Sequence, residues 1–483
     1  MKVGVSNLRV KYPGTRKLLF NRLSLEIEAG EKVLFLGPSG CGKSTLLQIL
    51  SGLIPQSVPV PMKADAKTIP LSSGVVFQDP DSQFCMPYVD EEMAFVLENR
   101  AVPQPEMKEL IRHYLEKVGL FFKDPHIEIG SLSQGMKQRL AIASMLALEP
   151  DVIFLDEPTA LLDPAGTSDV WKTIKKLNAK QTMIIVEHKI DEVIDFVDRI
   201  VLFDSEGRII ADADPKSVFS FYKHKMKEYG IWYPGVWEEH AKENKLPAPY
   251  VKGEGILEIN QLKGYRGKLP KIEVDHKTAH QGEWIVLTGK NGAGKSSFLL
   301  SLMNVMKTSG NKRVMKQELK SIKTARERLA FVFQNPEFQF VTNAVYDELA
   351  YSLEMTGDKD VEQKVNQWLE AYDLKQVRTL HPYQLSTGQK RRLSVGTAMF
   401  GSQPILLLDE PTFGQDARNT FKLLALFEKL RSDGVLIIMV THDEMIVQNY
   451  GTREWVIEEG KLTIDRDLRR REEREHHAVD STV

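Results

Sequence analysis

Apolar residues along the chain gather into short unbroken runs, each ending in a polar or glycine-rich turn. "EKVLFLG" and "EWIVLTG" run straight into glycine loops, "DVIFLDEP" and "PILLLDEP" end in acid, and "TMIIVEH" and "VLIIMVTH" end in histidine. Runs of this length, without polar alternation, predict strands buried on both faces. The intervening "STLLQIL" and "SSFLLSLM" predict helices. Strand and helix in alternation predict an α/β fold, a mainly parallel sheet with flanking helices on both faces. Each half opens with alternating segments, "VGVSNLRVKY" and "ILEINQLKGY", and closes with "VLFDSEGRII" and "WVIEEGKLTI", which read as hairpins. These segments predict an antiparallel β layer beside the parallel core.

The halves repeat one another. Tyr12 and Tyr265 are 253 residues apart, Gly37 and Gly289 are 252, and Gln78 and Gln334 are 256. Ser133 and Ser386, Glu157 and Glu410, and Gly207 and Gly460 are each 253 apart, and His188 and His442 are 254. Landmarks held in one register identify a duplicated domain, with small loop insertions accounting for the drift. The expected division is a first domain over 1–225, a linker over 226–255 and a second domain over 256–483. The linker carries Trp232, Tyr233 and Trp237 among prolines, either packing on a neighbouring domain or forming a docking loop. The tail "RDLRRREEREHHAVDSTV" mixes charges densely and is expected to fray; His476 and His477 are given little weight as metal ligands.

Composition narrows the class. Lys plus Arg is 64 and Asp plus Glu is 66, a near balance that argues against a generic polyanion binder. Two cysteines in 483 residues point to a reducing compartment rather than a disulfide scaffold. The N-terminal stretch lacks the apolar centre of a signal peptide, and the longest apolar runs are strand-sized, so a soluble chain is expected.

The glycine loops fit G-x-x-x-x-G-K-[ST], a phosphate cradle whose backbone N–H groups and following helix face the anion. The first cradle holds Gly37, Pro38, Ser39, Gly40, Cys41, Gly42, Lys43, Ser44 and Thr45. The second holds Gly289, Lys290, Asn291, Gly292, Ala293, Gly294, Lys295, Ser296 and Ser297. Lys43 and Lys295 are expected to reach the terminal phosphates of ATP, and Ser44 and Ser296 to hold Mg²⁺ with Asp156 and Asp409. A bulky reagent on Cys41 is expected to obstruct phosphate binding. Glu157 and Glu410 suit aligning and deprotonating an attacking water. Acids often cap strands, and it is the pairing with a cradle that gives these two their weight. A lone Gln is usually solvated and a lone His at a strand end usually packs. Their repetition favours Gln78 and Gln334 as contacts to Mg²⁺ or the water, and His188 and His442 as phosphate contacts. Tyr12 and Tyr265 precede the cradles, where a ring face can stack on adenine.

"SLSQGMKQRLAIA" and "QLSTGQKRRLSVG" resemble the LSGGQ signature of ATP-binding-cassette proteins. With the cradle, Gln loop, DEP strand and histidine in that order, the resemblance covers nearly the whole chain. It implies two tandem P-loop ABC ATPase domains, each with a helical subdomain, and two ATP molecules held between the cradle of one and the signature of the other. Ser133 and Gly135, and Ser386, Gly388 and Gln389, would then face phosphate. The first signature departs further from the pattern, with Gln134 and Met136 in place of Gly and Gln. The site built on Lys43 uses the second signature and is therefore expected to carry more of the turnover.

Three branches of the family share this layout: importer ATPases, ribosome-associated pairs and repair cassettes. Neither the coiled coils or zinc cysteines of repair cassettes nor the long charged arm of ribosomal pairs is present. "FQDPDSQFCMPYVDEEMAFVLEN" and "FQNPEFQFVTNAVYDELAYSLEM" share F-Q-[DN]-P-[DE]-x-Q-F, which looks like the ATPases of energy-coupling-factor importers. That resemblance implies a peripheral subunit on the cytoplasmic face of a bacterial or archaeal membrane. Its partners would be a membrane coupling subunit and a substrate-capture subunit, with no nucleic acid and no direct cargo contact. Hydroxymethylpyrimidine or thiamine is the leading cargo, with cobalt or nickel behind it; a ribosomal ATPase or a sugar-importer ATPase is the alternative. Phe84, Glu91, Glu92, Phe340, Asp347 and Glu348 are the expected coupling surface, with the acids meeting partner arginines or forming an ordinary solvated face.

Overall fold

The computed structural model describes residues 2–13, 17–160, 162–177, 181–243, 253–355, 357–399 and 403–468. The expected fraying of the tail, with His476 and His477, falls outside them. The chain divides into two compact units, Met1–Val236 with Asp416–Arg418, and Trp237–Gln415 with Asn419–Val483.

In the first unit the strands are β1 (Val3–Val10), β2 (Phe20–Ile27), β3 (Lys32–Leu36), β4 (Met62–Lys63), β5 (Ala66–Thr68), β6 (Ser73–Val76), β7 (Val152–Asp156), β8 (Thr182–Val186), β9 (Arg199–Phe203) and β10 (Ile209–Ala213). A core sheet runs in the order β10-β9-β3-β8-β7-β6, parallel except for its edge strand β10. A separate antiparallel layer pairs β1 with β2, β4 and β5.

The second unit repeats this plan with β11 (Gly255–Arg266), β12 (Leu269–His280), β13 (Trp284–Thr288), β14 (Lys307–Val314), β15 (Gln317–Glu318), β16 (Leu329–Val332), β17 (Ile405–Asp409), β18 (Leu436–Val440), β19 (Arg453–Glu458) and β20 (Lys461–Asp467). Here the layers join into one ten-stranded sheet, because β20 touches β12 through Glu273 and Lys461.

One expectation is corrected. The closing hairpins start from the parallel core rather than from a separate antiparallel layer. β9 pairs in parallel with β3, and β19 with β13, so each hairpin begins as a member of the parallel core. Ile200, Val201, Leu202 and Phe203 are at most 1 % exposed, so this segment needs cover on both faces. An interior place in the sheet supplies it.

Both faces of the core are apolar. In the second unit Ile285, Leu287, Leu407 and Ile438 pack on one side, and Trp284, Val286, Leu406 and Ile437 on the other. The alternation follows the period of two along a strand. Helices Val345–Met355, Val361–Ala371 and Thr387–Met399 form the helical subdomain, joined to the second face through Leu349, Trp368 and Leu393. Helices Val89–Asn99, Gln104–Lys117 and Gln134–Ala147 are their counterparts in the first unit.

The linker aromatics pack. Lys223 lies 5.3 Å from the Tyr233 ring centroid in the first unit. In the second, helix Val236–Glu243 sets Trp237 edge-on to Phe421 and stacks His240 on the same ring at 3.8 Å.

Candidate functional site

Each cradle joins a buried strand, β3 or β13, to a helix, Lys43–Leu50 or Lys295–Leu302. The helices start from glycines in left-handed backbone, Gly42 at φ 103° and Gly294 at φ 111°, which an L side chain rarely adopts. Gly40 and Gly292 also have positive φ, and a Cβ at either would meet nothing within 4 Å. That open space above a glycine loop and a helix start leaves room for a phosphate chain.

Lys43 is buried, and its ammonium donates to the Gly37 and Pro38 carbonyls at 2.8 and 3.0 Å. Lys295 repeats this with Gly289 and Lys290 at 2.7 and 3.0 Å. The lysines are thus held over their own loops. Ser44 donates to Asp156 at 2.8 Å and Ser296 to Asp409 at 3.2 Å. Hydroxyl and carboxylate oxygens at the cradle are the hard donor set that suits Mg²⁺, which takes few protein ligands beside substrate phosphates. Burial pushes the Asp156 and Asp409 carboxyls up to about 6, against the serine hydrogen bonds.

Glu157 and Glu410 directly follow β7 and β17, both at φ 49°. Their amides donate to Val186 and Val440 at 2.8 and 3.1 Å, which fixes them beside the ends of β8 and β18. There His188 Nε2 lies 3.0 Å from Glu157 Oε1, and Gln78 Nε2 donates to Glu157 Oε2 at 2.9 Å. Burial raises the Glu157 carboxyl, but the His188 hydrogen bond and charge, with Lys43, outweigh it and hold it below its usual value. The second copy brings fewer groups together. His442 Nε2 lies 3.4 Å from Glu410 and makes no hydrogen bond, and Gln334 is exposed with no bond to Glu410 among the described residues.

The signatures differ in a way the sequence only hinted at. Ser133 caps helix Gln134–Ala147 by accepting from Met136 N–H at 3.3 Å. Ser386 accepts from Gln389 N–H at 3.3 Å, and the Gln389 side chain accepts in return from Ser386 N–H at 3.0 Å. This reciprocal cap needs the Gln that Met136 replaces. Tyr12 meets Thr45 of the cradle helix at 3.1 Å, whereas Tyr265 meets Ser309 on β14 at 3.1 Å.

Two expectations change. Cys41 is 2 % exposed among apolar side chains, and burial pushes its thiol up. It is a packed filler, shielded from the reagent expected to reach it. Glu92 and Glu348 are buried and cannot meet a partner. Glu92 accepts from the Cys85 and Met86 amides at 2.8 and 2.9 Å, and Glu348 from Val341 and Thr342. Each helix folds its acid back on the Gln loop because orphan amides lie there. Glu91 and Asp347 are exposed, and Phe84 and Phe340 are half-buried.

The pattern F-Q-[DN]-P-[DE]-x-Q-F now has a local cause. Asp79 and Asn335 cap a short 3₁₀ turn begun by Pro80 or Pro336. The acid that follows binds the signature helix, Asp81 to Lys137 at 2.6 Å and Glu337 to Lys390 at 2.5 Å. Sequence reasoning missed these lysines, although their place four residues after Ser133 and Ser386 repeats with the rest. It also missed Arg391, buried beside Asp409 and Glu410 with its guanidinium lowered to about 10 by burial, where the first copy has Gln138.

The model of the ABC transporter family matches residues 20–160 and 274–413, one copy on each cradle-to-DEP segment. The chain belongs to the ABC transporter family. It is an ATPase with two cassettes. A Bacillus subtilis (strain 168) relative, "Putative HMP/thiamine import ATP-binding protein YkoD", is 36 % identical over 95 % of this chain and 90 % of its own length. A Methanosarcina acetivorans relative, "Putative ABC transporter ATP-binding protein", is 32 % identical over 96 % of this chain and 85 % of its own. Among solved structures, a chain in the complex of archaeal ribosomal stalk protein aP1 with ribosome recycling factor aABCE1 has a TM-score of 0.66 at 19 % identity, covering 98 % of this chain and 92 % of that one. At that identity the likeness speaks for the fold alone. Among the described residues no helix is long and apolar enough to cross a membrane.

Proposed function

We propose that this ATPase energises a membrane importer of the energy-coupling-factor type, with hydroxymethylpyrimidine or thiamine as cargo. The observation that carries the reading is the relative named for HMP/thiamine import, whose match extends through both cassettes and nearly all of its own length. The duplicated Gln-loop segment supports it, with Phe338 and Val341 left 75 % and 71 % exposed beside Gln334. Such apolar side chains on a loop braced from behind suit a protein partner. A membrane coupling subunit is that partner in this reading, with a second membrane subunit capturing the cargo and the ATPase resting on the cytoplasmic face. We assign a first cassette to 1–225, a linker to 226–255 and a second cassette to 256–483.

In the catalytic reading each cradle binds the phosphates of one ATP, and the signature of the other cassette closes on the γ-phosphate. Lys43 and Lys295 exchange loop carbonyls for phosphate oxygens. Ser44 with Asp156, and Ser296 with Asp409, would hold Mg²⁺, which would neutralise phosphate charge. Gln78 and Gln334 complete that shell in this reading. Glu157 and Glu410 align the attacking water and accept its proton, His188 and His442 contact phosphate, and His188 also holds Glu157. Closed and open states differ in nucleotide affinity, so hydrolysis can drive a mechanical cycle.

The test is purification of the tagged chain from detergent-solubilised membranes of its parent organism, with uptake of labelled hydroxymethylpyrimidine and thiamine. Polytopic membrane proteins should co-purify, and uptake should fail when Glu157→Gln and Glu410→Gln are combined. Recovery with ribosomal particles and unchanged uptake would overturn the reading.

A further inference from the structure

Glu187 directly follows β8 and lies behind the first site, 3 % exposed. One carboxyl oxygen accepts from the Thr159 hydroxyl at 3.0 Å, and the other from the His188 amide at 3.1 Å. Thr159 stands two residues past Glu157 on the loop leaving β7, and His188 opens the loop leaving β8. One buried side chain therefore ties together the two loops that present the candidate base and its histidine. Burial, followed by the Glu157 charge, pushes the Glu187 acid up to about 8, so no second full charge stands behind Glu157 at neutral pH.

The second copy is built otherwise. Thr441 occupies the matching position, and its hydroxyl accepts from the Asp443 amide at 3.1 Å. Among the described residues no side-chain bond joins it to Thr412, the counterpart of Thr159. With the acid in place, histidine and glutamate stand 3.0 Å apart; without it they stand 3.4 Å apart and the imidazole Nε2 makes no hydrogen bond.

We propose that Glu187 is a positioning residue of the first cassette alone, a buried brace that holds His188 and Glu157 as a preassembled pair and so makes the two cassettes hydrolyse ATP at unequal rates. The inference rests on the reading of Glu157 and Glu410 as bases. Preorganisation acts on the rate because a carboxylate already oriented needs no rearrangement in the transition state. The affinity for ATP, set by the cradle, should move little.

The experiment measures phosphate release by the full chain with Mg-ATP in two backgrounds, Glu410→Gln, where turnover reports Glu157, and Glu157→Gln, where it reports Glu410. In the first, Glu187→Thr and Thr159→Val should each lower kcat about five- to tenfold with KM within about twofold. Their combination should be no worse than either alone, as for two ends of one brace. Glu187→Gln keeps an acceptor and a donor and should retain more than about half of kcat. In the second background the same changes should lower kcat by less than about twofold. Equal losses in both backgrounds, additive losses in the combination, or a Glu187→Gln as severe as Glu187→Thr would overturn the brace. If Glu187→Thr does not fold, as read by thermal melting, Thr159→Val and Glu187→Gln decide the matter. Full turnover by Glu157→Gln and Glu410→Gln combined would instead overturn the catalytic reading beneath it.

Discussion

Replacing one candidate base at a time should expose the inequality of the two cassettes directly. Glu157→Gln and Glu410→Gln each keep the side-chain shape and remove a proton acceptor. Loss of a positioned general base costs about 10²- to 10⁴-fold at that site, so each variant reports what the other site contributes. Glu157 accepts a hydrogen bond from Gln78 at 2.9 Å and has His188 Nε2 at 3.0 Å, while among the described residues Glu410 has His442 Nε2 at 3.4 Å without a hydrogen bond. Those contacts orient Glu157, but the hydrogen bond and charge of His188, with Lys43, also hold its carboxyl below its usual value, which weakens it as a base. We therefore weigh the difference as one net hydrogen bond, about 1 kcal/mol, or about fivefold in rate. Sites turning over independently then share the work about 5:1, so Glu157→Gln leaves about one-sixth of the turnover and Glu410→Gln about five-sixths. The double variant should leave less than about one-hundredth. The assay is phosphate release at saturating Mg-ATP, with ATP binding measured separately to show that it survives. A reversed order would refute the assignment of the better-oriented base. Near-complete loss in both single variants would refute independent turnover, because strict coupling of the sites hides any bias.

Three further outcomes follow from particular side chains. A maleimide should label exposed Cys85 and spare buried Cys41, leaving ATP binding intact; peptide mass spectrometry that finds Cys41 modified in folded protein would contradict its packing. Met136→Gln should install the reciprocal cap seen at Ser386 and Gln389 and stabilise the first unit by about 0.5–1 kcal/mol in urea unfolding; no gain would mean that Gln134 blocks the cap. Burial lowers the Lys312 ammonium from 10.5 to about 8, so the unfolded chain binds more protons between those pH values and stability should rise with pH across that window. Lys312→Met should flatten this rise in Tm, and an unchanged slope would show that other groups carry it.

Much of the site was legible because its geometry is local. A strand, a glycine turn and a helix start place Lys43 beside Ser44, and Lys295 beside Ser296, whatever surrounds them, since backbone amides and a helix end do the work. The apolar runs fixed the buried strands for a similar reason: a segment with no polar face needs cover on both sides. The duplication, visible as a register, doubled the weight of each motif. What stayed hidden depends on residues far apart in sequence. "VLFDSEGRII" reads as a hairpin in either layer, and only the crossover that sets β9 against β3 decides where it lies. Cys41 sits in a reactive-looking motif, yet it is buried in the apolar core, to which β9 contributes Phe203. Glu92 and Glu348 look like surface acids until a folded loop turns its free amides onto them. Glu187 differs from Thr441 by one letter in a repeat, but its meaning comes from Thr159, which lies 28 residues away in sequence and 3.0 Å away in space. Burial removes water from such a pair, and the partner that replaces the water is chosen by the packing of the sheet rather than by any neighbour along the chain.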